Sequence, residues 1–150
     1  MSKFIILQGI QGSGKSTWAL DWVKENPIKR IRVNRDSIRK MLGKYWLPDR
    51  EKLVKHIRNA CIEEAILDGY DVVSDDMNLS DNTINELVEL IKSIKPNTSI
   101  EYKLFNTPLK DCLIRVDNRN RHLPEDEQIS MSVVISTYNT FKDKYNLIAE

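Results

Sequence analysis

Short apolar runs and longer apolar stripes alternate along this chain. Lys3 to Gln8 holds four consecutive apolar residues, Phe4-Ile5-Ile6-Leu7, and runs into a glycine-rich turn, the pattern of a strand buried on both faces. A helical pattern follows from Lys15 to Glu25 and stops ahead of Pro27, because the residue before a proline is pushed out of the helical region. Ile31-Arg32-Val33 predicts a second short strand, and Ser37 to Leu42 a small helix closed by Gly43. Between Asp49 and Asp68, Leu53, Ile57, Ala60, Cys61 and Ala65 recur at helical spacing, with Gly69 as the stop. Tyr70 to Ser74 predicts a third strand.

Ser80 can cap a helix whose stripe is Ile84, Leu87, Val88, Ile91 and Ile94, ended by Pro96. Ile100, Tyr102 and Leu104 alternate with Glu101 and Lys103, which predicts a half-buried fourth strand, a candidate for the sheet edge. Thr107-Pro108 opens another helix with proline at its first position and Leu109, Cys112, Leu113 and Val116 inward. An acidic loop from Pro124 to Gln128 precedes a terminal helix, Met131 to Tyr145, with Val134, Ile135, Tyr138 and Phe141 on one side. Strands that alternate with helices imply an α/β fold, with a parallel sheet of four or five strands flanked by helices on both faces. No repeat or linker interrupts the 150 residues, so a single domain is expected over 1–150.

Composition adds a few exclusions. No apolar run nears the roughly 20 residues of a membrane-spanning helix, so no membrane partner is expected. The apolar stretch at the N-terminus, Phe4 to Leu7, is too short for the core of a secretion signal. Cys61 and Cys112 lack metal-ligand spacing and read as reduced thiols. A cytoplasmic protein is expected, of cellular or phage origin. Net charge is +1, but Lys29 to Arg58 contains eleven basic and three acidic residues, leaving the rest of the chain at −7. Such polarity fits a polyanionic partner, or a solvated helix surface.

Gly9-Ile10-Gln11-Gly12-Ser13-Gly14-Lys15-Ser16 matches G-x-x-x-x-G-K-[ST] in full, after a strand and before a helix. Backbone N–H groups of Gly12, Ser13, Gly14, Lys15, Ser16 and Thr17 would face phosphate oxygens, with the helix N-terminus adding positive potential. Lys15 would reach the β- and γ-phosphates and the Ser16 hydroxyl would hold Mg²⁺. The P-loop NTPase fold is therefore expected, with ATP and Mg²⁺ as cofactors. The chain is short for a helicase and has no Asn-Lys-x-Asp stretch for reading guanine, which favours a small kinase.

Past the second strand comes Asn34-Arg35-Asp36-Ser37-Ile38-Arg39. Asp36 would lie where open α/β sheets bind ligands, placed to accept a hydroxyl proton or to cap the next helix. Arg39 shares its face and can clamp a phosphate. Asp75 and Asp76 end the third strand, where such folds keep a carboxylate near Mg²⁺; a turn is the plainer role for the pair.

The loop, Asn-Arg-Asp-x-x-Arg and Asp76-Met77-Asn78-Leu79 together resemble the 5′-kinase domain of polynucleotide kinases, the family best known from phage polynucleotide kinase-phosphatases. The resemblance runs from Phe4 to about Pro124 but is thin outside short motifs. It implies Asp36 as general base, Arg39 on the phosphate beside the acceptor nucleoside, and Asp76 at the site, with Asp75 in place of a small polar residue. It also implies a helical lid, about residues 108–128, in which Arg119 stabilises the transition state and Arg115 supports it. Here this sequence departs from the family spacing, and Arg121 is a further candidate. No Asp-x-Asp-Gly-Thr stretch is present, so no phosphatase half is expected.

His56 and His122 stand alone and read as surface residues, and Trp18 and Trp22 as packing. Trp46, at Lys44-Tyr45-Trp46 in the basic stretch, is the aromatic suited to stacking on a base. The expected reaction is transfer of the ATP γ-phosphate to the 5′-hydroxyl of DNA or RNA. A kinase of a small metabolite or nucleoside, and a non-catalytic nucleotide-binding module, stand as alternatives. Preference for DNA or RNA, the phosphate donor and association with further copies of the chain stay open.

Overall fold

The computed structural model describes residues 2–150. Strands β1 (Lys3–Gln8), β2 (Arg30–Val33), β3 (Asp71–Ser74) and β4 (Ser99–Leu104) form one sheet, in the order β2-β3-β1-β4, with every neighbour parallel. The register sets Ile5 between Val73 and Glu101, and Val33 beside Ser74. Around it lie α1 (Lys15–Glu25), α2 (Arg35–Met41), α3 (Glu51–Leu67), α4 (Asp81–Ile94), α5 (Leu109–Asn120) and α6 (Met131–Tyr145).

Because β1 is central, its alternate side chains serve two cores. Phe4 and Ile6 join Val72 and pack on Ile62, Ala65 and Ile66 of α3 and on Leu87 and Ile91 of α4. Ile5 and Leu7, with Val73, meet Ala19 and Trp22 of α1 on the opposite face. Trp18 and Trp22 stack at 6.1 Å between centroids, with Phe105 edge-on to Trp18. A third cluster lies at the carboxyl ends of the strands, where Cys112, Val116, Val134 and Tyr138 of α5 and α6 enclose Ile10 and Leu79.

Three features of the expected pattern are corrected. On α3 the buried face is Val54, Arg58, Ile62, Ala65 and Ile66; of the expected stripe Ala65 is buried, while Leu53, Ala60 and Cys61 face solvent one position away from buried residues. The offset arises because Arg58, only 1% exposed, occupies a core position that its charge disguises in the sequence. On α6, Ile135 is exposed while Val134 and Tyr138 carry the packing. On β4, Tyr102 and Leu104 are exposed, because among the described residues no fifth strand or helix covers that edge.

Buried polar bonds hold the carboxyl ends of β1 and β3 together. Asn78 is 1% exposed and in the left-handed region, φ 47°. Its Nδ2 donates to the carbonyls of Leu7 (2.8 Å) and Ser74 (3.2 Å), while Gln8 Nε2 donates to the Asn78 carbonyl (3.1 Å). Replacing Asn78 strands these acceptors and puts an unsuited residue at positive φ. Asn78→Ala is expected to lower unfolding free energy by about 2–4 kcal/mol, read from the urea midpoint.

Candidate active site

The loop between β1 and α1 folds around two glycines at positive φ, Gly12 (79°) and Gly14 (99°), which leave no room for other backbone conformations at the turn. Lys15 crosses beneath it. Its Nζ donates to the carbonyls of Gly9 (2.8 Å) and Ile10 (2.9 Å) and to Ser13 Oγ (3.3 Å). Desolvation lowers the amine to about pKa 8, opposed first by Asp75 and then by Asp76. Ser16 and Thr17, at the start of α1, are exposed.

The two acids that end β3 face different ways. Asp75, 1% exposed, accepts from Arg32 Nε at 2.7 Å, and Arg32 Nη2 lies 3.5 Å from Ser16 Oγ. The other carboxylate oxygen of Asp75 is buried with no partner. Asp76 turns toward α2, where its Oδ1 accepts from the Arg35 backbone N–H (3.0 Å) and its Oδ2 lies 3.2 Å from Arg35 Nε. Burial raises Asp76 to about pKa 6 against the opposing pull of Arg35. Both acids act on Lys15, Asp75 the more strongly, and Asp75 alone is linked to Ser16, through Arg32. The unpartnered Asp75 oxygen and the exposed Ser16 hydroxyl, both near Arg32, fit a hydrated Mg²⁺, which takes few protein ligands.

On the acceptor side, Asn34 rather than Asp36 caps α2, accepting from the Ser37 N–H (2.9 Å), while its Nδ2 donates to the Asp75 carbonyl (2.5 Å). The capping role open to Asp36 in the sequence is therefore filled, and its carboxylate lies inside the first turn, half-exposed. Arg39 Nη1 donates to Asp36 Oδ1 (2.5 Å), leaving the second oxygen of the carboxylate clear of Arg39. Glu51 grips Arg39 from α3, accepting from Nε (2.9 Å) and Nη2 (2.5 Å). With three of five N–H donors engaged, Arg39 retains about two for a phosphate. Glu51 first, then Asp36, raises the Arg39 pKa further. The Tyr45 phenol is pushed up first by burial and then by the charge of Asp36. Glu51, Tyr45 and Arg32 were absent from the expected site; no motif marks them, and only the fold brings them in.

α5 and the turn before it, the segment expected to form a lid, lean on the loop. A Cβ built at Gly12 would sit 2.6 Å from the Cys112 carbonyl oxygen, and Thr107 Oγ1 donates to the Ser13 carbonyl at 2.7 Å. Three arginines project from α5 and its end, and their commitments differ. Arg115 donates to the Gly12 carbonyl (3.3 Å) and Arg121 pairs with Asp117 (2.9 Å). Arg119 has no hydrogen bond or ion pair among the described residues, and its charge reaches both Lys15 and Tyr45, on opposite sides of the cleft. Beyond it, Glu127 meets Lys40 of α2 at 3.2 Å, so the segment after α5 touches α2.

The basic surplus of Lys29 to Arg58 is largely neutralised within the molecule. Arg30, Arg32, Arg35, Arg39, Lys40 and Lys55 pair with Glu25, Asp75, Asp76, Asp36 and Glu51, Glu127 and Glu86 respectively. Arg58 is buried and Arg50 donates to the Leu42 carbonyl, so the exposed cations of the stretch without an ion pair reduce to Lys29, Lys44 and Lys52. The extended basic surface expected from the sequence is accordingly a narrow one.

A family model described as an AAA domain matches residues 4–144. The L-seryl-tRNA(Sec) kinase of Methanococcus maripaludis is 28% identical over 125 residues, covering 81% of this chain and 48% of the kinase. The chain thus spans about half the length of that curated relative. A chain of the Pnkp1/Rnl/Hen1 RNA repair complex superposes with TM-score 0.76 at 24% identity, over 95% of this chain and 46% of the other. The Mycobacterium tuberculosis APS kinase CysC, solved with AMPPNP and APS, superposes with TM-score 0.61 at 17% identity, over 86% and 76%. At those identities the two superpositions speak for the fold, a P-loop kinase fold.

Two outcomes follow from the loop. Phosphate favours the protonated Lys15 amine, so affinity for a nucleoside triphosphate is expected to hold below about pH 8. Above it, affinity should fall by up to about tenfold per pH unit, because binding must then recruit a proton; calorimetry across pH 6.5–9.5 reads this. Gly12→Ala sets a methyl against the Cys112 carbonyl at a φ that alanine avoids, and should weaken triphosphate binding by about tenfold or more in the same assay.

Proposed function

The chain belongs to the AAA domain family, and from that premise we propose that it is an ATP-dependent kinase of polynucleotide 5′-hydroxyl groups. The observation that carries this reading is Asp36, held by Arg39 through one carboxylate oxygen at the carboxyl end of the sheet, with Lys15 and Arg119 on the donor side of the same cleft. A carboxylate so placed serves a hydroxyl acceptor. Two of the similar proteins are named for RNA, one as a tRNA-linked kinase and one as part of an RNA repair complex, which supports a nucleic-acid acceptor.

In the proposed reaction, backbone N–H groups of Gly12 to Thr17 hold the ATP phosphates and Lys15 leaves its carbonyl partners for the β- and γ-phosphates. Asp36 takes the proton of the 5′-hydroxyl as its oxygen bonds to the γ-phosphorus. The bond from that phosphorus to the β,γ-bridging oxygen breaks, and ADP departs. Lys15 and Arg119 offset the charge on the transferring group and the leaving oxygen. Ser16 and, through water, Asp75 would hold Mg²⁺, which when bound supplies further positive charge at the phosphates. Arg39 uses its remaining N–H donors on the acceptor's adjacent phosphate.

A second reading, a kinase of a small anionic metabolite, is favoured by one observation, the internal pairing of most of the basic stretch. The readings separate by assay. Labelled γ-phosphate should pass from ATP to short 5′-hydroxyl DNA or RNA. Asp36→Ala should lower kcat by about 10²–10⁴-fold, and Arg119→Ala by about 10²–10³-fold, with triphosphate binding retained in the Asp36 variant. A protein that binds ATP yet labels neither polymer sinks the polynucleotide reading and leaves the small acceptor.

A further inference from the structure

Trp46 lies in the segment between α2 and α3 with 53% of its surface in water. A large aromatic in that condition forgoes most of its burial gain, so the location calls for a reason. One side of the ring is accounted for: the Arg39 guanidinium carbon lies 5.6 Å from its centroid. That same guanidinium bonds Asp36 through Nη1 and Glu51 through Nε and Nη2, which fixes the ring's neighbour. Tyr45, next in the chain, lies close enough to Asp36 to feel its charge. The exposed ring therefore stands one side chain away from the carboxylate that receives the acceptor hydroxyl. Lys44 and Lys52, two of the exposed cations left free of ion pairs, flank it in sequence.

We propose that Trp46 is a stacking platform for the base of the acceptor's 5′-terminal nucleotide, with Lys44 and Lys52 along the path of the following phosphates. This rests on the polynucleotide reading and deepens it, since it makes the acceptor a base-bearing end rather than any primary hydroxyl. A 5′-hydroxyl at Asp36 would carry its ribose and base about the breadth of one more side chain away, and Trp46 is separated from Asp36 by the single side chain of Arg39. Stacking on an aromatic is tolerant of sequence because every base has a π-face, so the platform selects for a base without selecting which base. Arg39, clamped by Glu51, keeps the ring's position linked to that of Asp36.

The test uses two 5′-hydroxyl oligonucleotides that differ only at the terminal nucleotide, normal in one and abasic in the other. Binding is followed by anisotropy of a 3′-fluorescein label and phosphate transfer from ATP is measured separately. The wild-type chain should bind the base-bearing oligonucleotide about tenfold or more tightly than the abasic one. Trp46→Leu should bring that ratio to about one, and Trp46→Phe, which keeps a smaller ring, should retain part of it. A wild-type chain that binds both alike, or neither, overturns the platform, as does a Trp46→Leu variant that keeps the preference. Transfer without preference would leave the kinase reading standing and remove the platform. Preference without transfer would do the reverse.

Discussion

The Lys15 ammonium sits against carbonyl oxygens beneath the loop, and a cation so far removed from water needs compensating charge nearby. That charge comes from Asp75 and Asp76 at the end of β3. Each of these acids is in turn paired with an arginine of the β2–α2 segment, Asp75 with Arg32 and Asp76 with Arg35. The nucleotide side and the acceptor side are thereby parts of one electrostatic chain. Asn34 adds to it, capping α2 with its oxygen and bonding the Asp75 carbonyl with its nitrogen. The orientation of α2, and with it Asp36, depends on the same acids that balance Lys15.

The parallel sheet was legible because it rests on local patterns that few alternatives satisfy. β1, α1 and α6 occupy the bounds their periodicity predicts, since each has a continuous apolar run or stripe and an unambiguous end. The rotation of α3 was hidden, because Arg58 interrupts the apolar rhythm at a buried position where its neighbours are Arg35 and Asp76. Asn34, Asp36 and Ser37 are all good caps, and only the three-dimensional bond to Asp75 singles out Asn34. Charge counting along the chain overstated the basic surface for a related reason. Ion pairs such as Lys40 with Glu127 join residues far apart in sequence, which a running sum cannot see.

The loop motif revealed where phosphate chemistry is expected, while the surroundings of each residue came from folding. Glu51 belongs to the helix after Arg39's own and reaches it only because α2 and α3 pack together. Among the lid arginines, spacing alone left Arg119 and Arg121 equivalent. Their partners distinguish them: Arg121 is held by Asp117 within its own helix, whereas Arg119 stands uncommitted over the cleft.

The contact of Gly12 with the Cys112 carbonyl makes α5 a lever whose fulcrum is the loop itself. From Cys112 to Arg119 the helix advances about 10 Å at its rise per residue. A tilt of the loop too small to alter its own hydrogen bonds is therefore magnified at the arginine. A group held in the loop would thus bear on Arg119 through the helix that carries it.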